Sequence, residues 1–227
     1  MFVIVRLEDK LRTLPEHFDR DPEEVLREQI ENKYANRVMT NVGLFVRCLD
    51  FSKVEDPYIY PSEGAAHQIA VFRMIVFRPF LGEVIVGSIT TSSVEGLCVS
   101  IGFFDDILIP PHFLPQPAEF NPKTSIWVWK YEGNDFEMEV GDAIRFKVKT
   151  INFTTVTTSV RGSVQATTVS ETHKTSNALP MPSGGPDAVS SKKRSLSVDL
   201  SAEDKVPAVM QIIGSADELG LGNPIWW

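Results

Sequence analysis

The chain has 227 residues, 43% hydrophobic and 10% aromatic, which fits one large domain or two small ones able to fold in water unaided. Lys and Arg total 22 against 30 Asp and Glu, and the resulting charge of −8 argues against a protein that grips nucleic acid by bulk charge. Only Cys48 and Cys98 are present and the 4 His lack ligand spacing, so neither a disulfide framework nor a zinc cluster is expected, and the thiols point to a reducing compartment.

At the amino terminus the apolar run reaches Arg6 too soon for a secretion signal. Met1 to Leu7 is rich in β-formers, and Arg6, Glu8 and Lys10 then alternate with Leu7 and Leu11, which predicts a strand with one wet face. A helix follows: Asp21 suits its cap, Pro22 its first position, and Glu24 completes a reciprocal cap. Leu26, Ile30 and Tyr34 fall on one stripe, backed by Val25 and Val38, and should lie against a sheet. Val38 to Phe51, Tyr58 to Tyr60 and Ile69 to Phe77 supply strand-like runs, with a turn-prone loop from Pro61 to His67. The Ile69 to Phe77 run is interrupted by Arg73 and far short of a membrane span. Residues 1–81 therefore read as an α+β unit, one helix on an antiparallel sheet.

Pro79 and Gly82 mark a break, and residues 82–227 read as a second, all-β domain. Strands are expected at Glu83 to Thr90, Gly96 to Ser100, Asp106 to Ile109, Ile126 to Tyr131 and Ala143 to Phe153, which suits a small closed barrel. Residues 155–205 hold 17 Ser or Thr and no Phe, Trp or Tyr, too little apolar area to offset ordering, and most of the segment is expected to be a disordered insertion. Val156, Val160 and Val164 leave room for a strand extension at its start. Val206 to Ile213 offers a further barrel strand, and the chain closes on two Trp.

No set of residues assembles into a catalyst, and the chain is expected not to be an enzyme. There is no phosphate-cradling glycine loop, serine elbow, paired helical His or spaced Cys pair. Asp105 and Asp106 are adjacent and point opposite ways on a strand, so they read as a turn or strand entry. Cys48 and Cys98 sit in apolar runs as small buried thiols. No cofactor is implied. Trp127, Trp129 and Tyr131 share one face of a strand and would stack unpaired bases if exposed, while Arg145, Lys147 and Lys149, also two apart, would track a backbone. The other reading open at this point is that the aromatics fill the barrel or an interdomain seam. Residues 82–154 carry 5 basic and 10 acidic groups, so RNA contact there must be local and salt-sensitive. Lys192, Lys193 and Arg194 form a weak nuclear-address motif.

The ordered segments FRPFLGEVIVG (Phe77 to Gly87), SIGFFDDILIPPHFLPQPAEF (Ser100 to Phe120) and SIWVWKYEGNDFEMEVGDAIRFKV (Ser125 to Val148) resemble the larger stalk subunit of the cellular RNA polymerases. GFFDDILIPP, WVW before Tyr131, the acidic-glycine turn before IRFKV, and the closing GLG with two Trp are most similar to the RNA polymerase III member. The resemblance covers about residues 1–153 and 206–227. It implies a tip domain followed by an S1-like oligonucleotide-binding (OB) barrel, with no catalytic role. It implies a heterodimer with a smaller helical stalk subunit, docking on the RNA polymerase III core in the nucleus, support of initiation alongside initiation factors, and contact with single-stranded emerging RNA, with no membrane association. The implied docking edge holds Tyr58, Tyr60, Pro61, Gly64 and His67. The barrel candidates for RNA are Trp127, Trp129, Lys130, Arg145 and Lys147. Phe77, Phe80, Phe103 and Phe104 are expected to offer apolar area at the domain junction to the partner subunit. The alternative is a free-standing single-stranded RNA-binding protein built on the same barrel.

Overall fold

The computed structural model describes residues 1–158, 164–172, 196–200 and 208–226, which divide into two compact units, Met1–Pro79 and Phe80–Trp227. In the first, β1 (Phe2–Thr13) leads through a short turn to α1 (Pro22–Tyr34), then β2 (Val38–Met39), β3 (Gly43–Val54), β4 (Tyr58–Ile59) and β5 (Ala66–Phe77). The sheet runs β1-β5-β3-β2, with β4 also on β5. The long strand β5 is central because its apolar run can be buried, and it pairs with β1 from Phe2↔Phe77 to Thr13↔Ala66. Leu26 and Ile30 of α1 seat on Leu11, Phe45, Cys48, Phe72 and Met74, with Tyr34 packed at the margin.

Asp21 stands at the helix cap and Pro22 at its first position, but the Asp21 side chain makes no capping bond, so the expected reciprocal cap with Glu24 does not form. The exposed first turn leaves its amides to water, and Glu23 and Glu24 there complement the helix dipole. The run Val38 to Phe51 splits into β2 and β3 because Asn41 and Gly43 adopt φ of 64° and 127°. Gly43 is required there, since a Cβ would stand 2.4 Å from the Phe77 carbonyl oxygen.

The second unit contains β6 (Val84–Ser93), β7 (Gly96–Ser100), β8 (Ile107–Ile109), β9 (Ala118–Asn121), β10 (Ile126–Tyr131), β11 (Asn134–Met138), β12 (Ala143–Thr158), β13 (Val164–Thr172), β14 (Leu196–Leu200) and β15 (Met210–Ser215). Five strands close a circuit: β6 on β7, β7 on β8, β8 parallel to β15, β15 on β12, and β12 back on β6. This is the OB-type Greek-key barrel. Its interior is filled by Ile89, Leu97, Ile109, Phe146, Phe153 and Ile212, all buried. At Gly214 the β15 backbone passes so close to Phe146 that a Cβ would lie 2.7 Å from the ring.

One expectation is corrected. Ile126 to Tyr131 is not a barrel strand: β10 is the middle of a separate three-stranded sheet, β11-β10-β9, and the fifth barrel strand is β15. Local alternation does not distinguish two sheets that share the same polarity pattern. The strand extension for which Val156, Val160 and Val164 left room is present at the start of the Ser- and Thr-rich segment. Thr155 to Thr158 continue β12, and Val164–Thr172 pairs with it from Thr150↔Thr172 to Thr158↔Val164, with β14 beyond. Cross-strand contacts between threonines, such as the 3.1 Å hydroxyl bond between Thr154 and Thr168, extend the sheet where large apolar residues are lacking. The rest of the expected insertion, including Lys192 to Arg194, lies outside the described residues.

Candidate functional site

Two surfaces gather the residues singled out by sequence. On the first unit, Tyr58, Ile59 and Tyr60 are 58%, 51% and 41% exposed. They stand beside β5 through the pairs Tyr58↔His67 and Ile59↔Ala66. Tyr60 packs edge-on against Tyr58 at 4.8 Å and His67 at 5.1 Å. Lys10 lies over the Tyr60 ring and donates to its hydroxyl at 3.1 Å. Glu63 ties the loop down, accepting from His67 Nε2 at 2.8 Å and from Arg12 Nε at 2.6 Å. The hydrogen bond from His67, aided by Arg12, holds the Glu63 carboxyl below its ordinary value. Gly64 turns the chain at φ 71°, and Pro61 is exposed. The docking candidates therefore form one cluster, beside a cleft of about 240 Å³ lined by Phe18, Val25, Pro57 and Ile59.

The barrel candidates separate. Along the shared face of β10, Trp127 is 6% exposed, and its indole N–H donates to the Ser93 carbonyl at 2.8 Å while its ring meets Phe120. It is core. Trp129 is half-buried and Tyr131 is 49% exposed. They stack at 5.0 Å, and Phe136 and Trp226 close on Trp129 at 5.3 Å and 5.2 Å. These four rings line a cleft of about 300 Å³. Phe136 and Trp226 were missed by sequence reasoning. The first was legible, because Glu132-Gly133 is a two-residue hairpin turn that puts Phe136 across from Trp129. The second depends on a long-range return of the chain.

The cations are already engaged. Lys130 donates to Glu119 at 2.6 Å, which raises its pKa. Arg145 donates to the Gly220 carbonyl at 3.1 Å, within a backbone bridge between Arg145 and Gly222. Lys147 and Lys149 both donate to Glu218, at 2.8 Å and 3.1 Å, and those bonds hold its carboxyl below its ordinary value. The expected phosphate track is thus occupied by the carboxy-terminal segment.

Among the aromatic partner candidates, Phe77 and Phe104 are buried, while Phe80 and Phe103 are 55% and 48% exposed. Asp105 and Asp106 form a strand entry: the Asp105 carboxylate accepts from the Ser100 hydroxyl, and the Asp106 carbonyl accepts from Ile212. Cys48 is buried, which pushes its thiol up, and Cys98 is half-buried. Among the described residues no group of His, Cys, Asp and Glu is placed to hold a metal, and no helix is long and apolar enough to cross a membrane.

Comparison with known proteins places these surfaces in context. Residues 8–64 match the SHS2 domain found in the N terminus of Rpb7p, Rpc25p and MJ0397. The whole chain is 38% identical to a Bos taurus protein named DNA-directed RNA polymerase III subunit RPC8, covering 98% of that protein. It is 33% identical over its whole length to the Schizosaccharomyces pombe subunit rpc8, all of which is covered. Over 64% of its length it is 23% identical to the RNA polymerase subunit Rpo7 of Sulfolobus acidocaldarius, covering 78% of that protein. With residues 83–227 matching the family described as RNA polymerase III subunit Rpc25, the chain belongs to that family.

Proposed function

We propose that the chain is a non-catalytic stalk subunit of nuclear RNA polymerase III that docks on the polymerase core through its first unit, pairs with a smaller helical stalk subunit and supports initiation. The family and its full-length relatives support the polymerase assignment. The observation that carries the docking reading is the exposed Tyr58, Ile59 and Tyr60 triplet, whose backbone is fixed by β5 and whose loop is pinned through Glu63. Large apolar side chains held rigid before contact lose little conformational entropy on binding, which is the property of an interface anchor.

Pairing with the small subunit draws on Phe80 and Phe103, the two of the four candidate phenylalanines that are exposed. Contact with emerging RNA enters the proposal in restricted form. A phosphate must displace Glu119 from Lys130, the Gly220 carbonyl from Arg145 or Glu218 from Lys147, so binding by this chain is weak and salt-dependent. The same pairings disfavour a free-standing RNA-binding protein.

The test is affinity purification of the tagged chain from its native cell with Tyr58→Ala and Tyr60→Ala combined. Both side chains are exposed, so folding should be unaffected. Recovery of the polymerase III core should fall at least ten-fold, with the small partner retained. Undiminished core recovery refutes the docking reading, and tight RNA binding by the unassisted chain at physiological salt would favour the alternative.

A further inference from the structure

The cleft formed by Trp129, Tyr131, Phe136 and Trp226 is not explained by docking or pairing. We propose that it is a docking site for an extended peptide segment of another protein, bearing arginine and proline. The inference stands apart from the polymerase assignment and can fail without it.

The first argument is shape. Trp129 and Tyr131 stack with an interplanar angle of 27°, Trp226 approaches Phe136 at 5.6 Å, and Pro115 also lines the cleft. Its volume of about 300 Å³ suits a few side chains rather than a large ligand. Aromatic-lined grooves of this kind receive proline-bearing chain, because a polyproline II segment arrives already extended and loses little entropy.

The second argument is charge. The titratable side chains lining the cleft, besides Tyr131, are Glu132, Asp217 and Glu218, with no Lys, Arg or His among them. Glu218 is committed to Lys147 and Lys149, and Asp217 accepts from the Ser215 hydroxyl. Glu132 makes no ion pair among the described residues. Lys147 and Lys149 offset Asp217 and Glu218 in formal charge, so Glu132 supplies the uncompensated charge at the cleft. A nucleic-acid phosphate or an acidic peptide would meet that negative charge. A guanidinium would meet attraction twice, since it stacks on aromatic faces and pairs with carboxylates.

The third argument is the turn that presents Glu132. Glu132 and Gly133 both take left-handed conformations, with φ of 50° and 80°. Such a turn favours Asn or Asp in the first place, and a Glu held there is conformationally disfavoured. The turn holds Glu132 at the hairpin tip, where it lines the cleft.

The test is fluorescence anisotropy of the full-length chain with a labelled peptide of alternating Pro and Arg, its counterpart with Glu in place of Arg, and a labelled oligouridine. The Pro-Arg peptide should bind, the acidic counterpart should not, and oligouridine should not compete. Glu132→Gln should weaken binding about five-fold, as expected for loss of one solvent-exposed charge pair, and Tyr131→Ala should weaken it at least ten-fold. Both side chains are exposed, and a cooperative melt of each variant, lowered by no more than about 4 °C, confirms that folding is intact. Glu132→Lys should abolish Pro-Arg binding. The proposal is overturned if the Pro-Arg peptide does not bind, if its affinity is indifferent to Glu132→Gln and Tyr131→Ala, or if oligouridine displaces it.

Discussion

The three aromatics on the shared face of β10 give the sharpest test of whether that face is core or a stacking platform. Trp127 is 6% exposed and its indole N–H donates to the Ser93 carbonyl at 2.8 Å. Replacement by Phe keeps most of the ring area but removes the donor to the Ser93 carbonyl. The lost hydrogen bond costs about 1 kcal/mol and the missing ring atoms about another. A total of about 2 kcal/mol in a unit of this size lowers its melting temperature by about 4–8 °C. Tyr131 is 49% exposed, so Tyr131→Ala gives up only part of its buried area, about 1 kcal/mol. Differential scanning calorimetry of the full chain reads both, provided the transition of the second unit is resolved from that of the first. The reasoning is refuted if Trp127→Phe melts like the wild type while its affinity for single-stranded RNA drops, for then Trp127 serves as a platform and not as core.

Three further outcomes follow from the same geometry. Burial pushes the Asp9 carboxyl up, but hydrogen bonds from Lys33 and Tyr34 and the Lys33 charge outweigh it and hold the group below its ordinary value of 3.8. A carboxyl depressed in the folded state contributes stability above its unfolded pKa and loses it as pH falls through the folded one. Thermal melts of the wild type should therefore show an acid limb, below about pH 4, that Asp9→Asn flattens; an unchanged limb contradicts this. Gly96 has φ 130°, and a Cβ there would stand 2.2 Å from the Ile109 carbonyl oxygen, whereas Gly133 at φ 80° has nothing within 4 Å. Gly96→Ala should cost at least about 3 kcal/mol in chemical denaturation against about 1 kcal/mol for Gly133→Ala, and equal costs would argue against the close approach. Finally, Glu218→Gln releases Lys147 and Lys149. Affinity for oligouridine should rise, with a salt dependence steeper by about 1.4 if both lysines reach phosphates, and an unchanged slope would mean that they do not.

The sequence alone was enough for what depends on local pattern. The helix from Pro22 was legible in its cap residue, its proline and its apolar stripe, and the change of texture near Pro79 and Gly82 was legible as a break between helix-bearing and strand-only chain. The exposed tyrosine cluster was half legible: Tyr58, Tyr60 and His67 were singled out, but not the Lys10, Arg12 and Glu63 contacts that hold them, because these join β1 to a loop some fifty residues away. The tertiary structure decided everything that rests on which strands meet. Alternation marks a strand but carries no address, so Ile126 to Tyr131 reads the same in the barrel as in its own sheet, and only the parallel return of β15 beside β8 settles the barrel's membership. The same holds for charge. Arg145, Lys147 and Lys149 spell a basic track by spacing, yet the carboxy-terminal turn brings Glu218 and the Gly220 carbonyl onto them, and a charge that has found its partner within the fold is no longer available to an outside one.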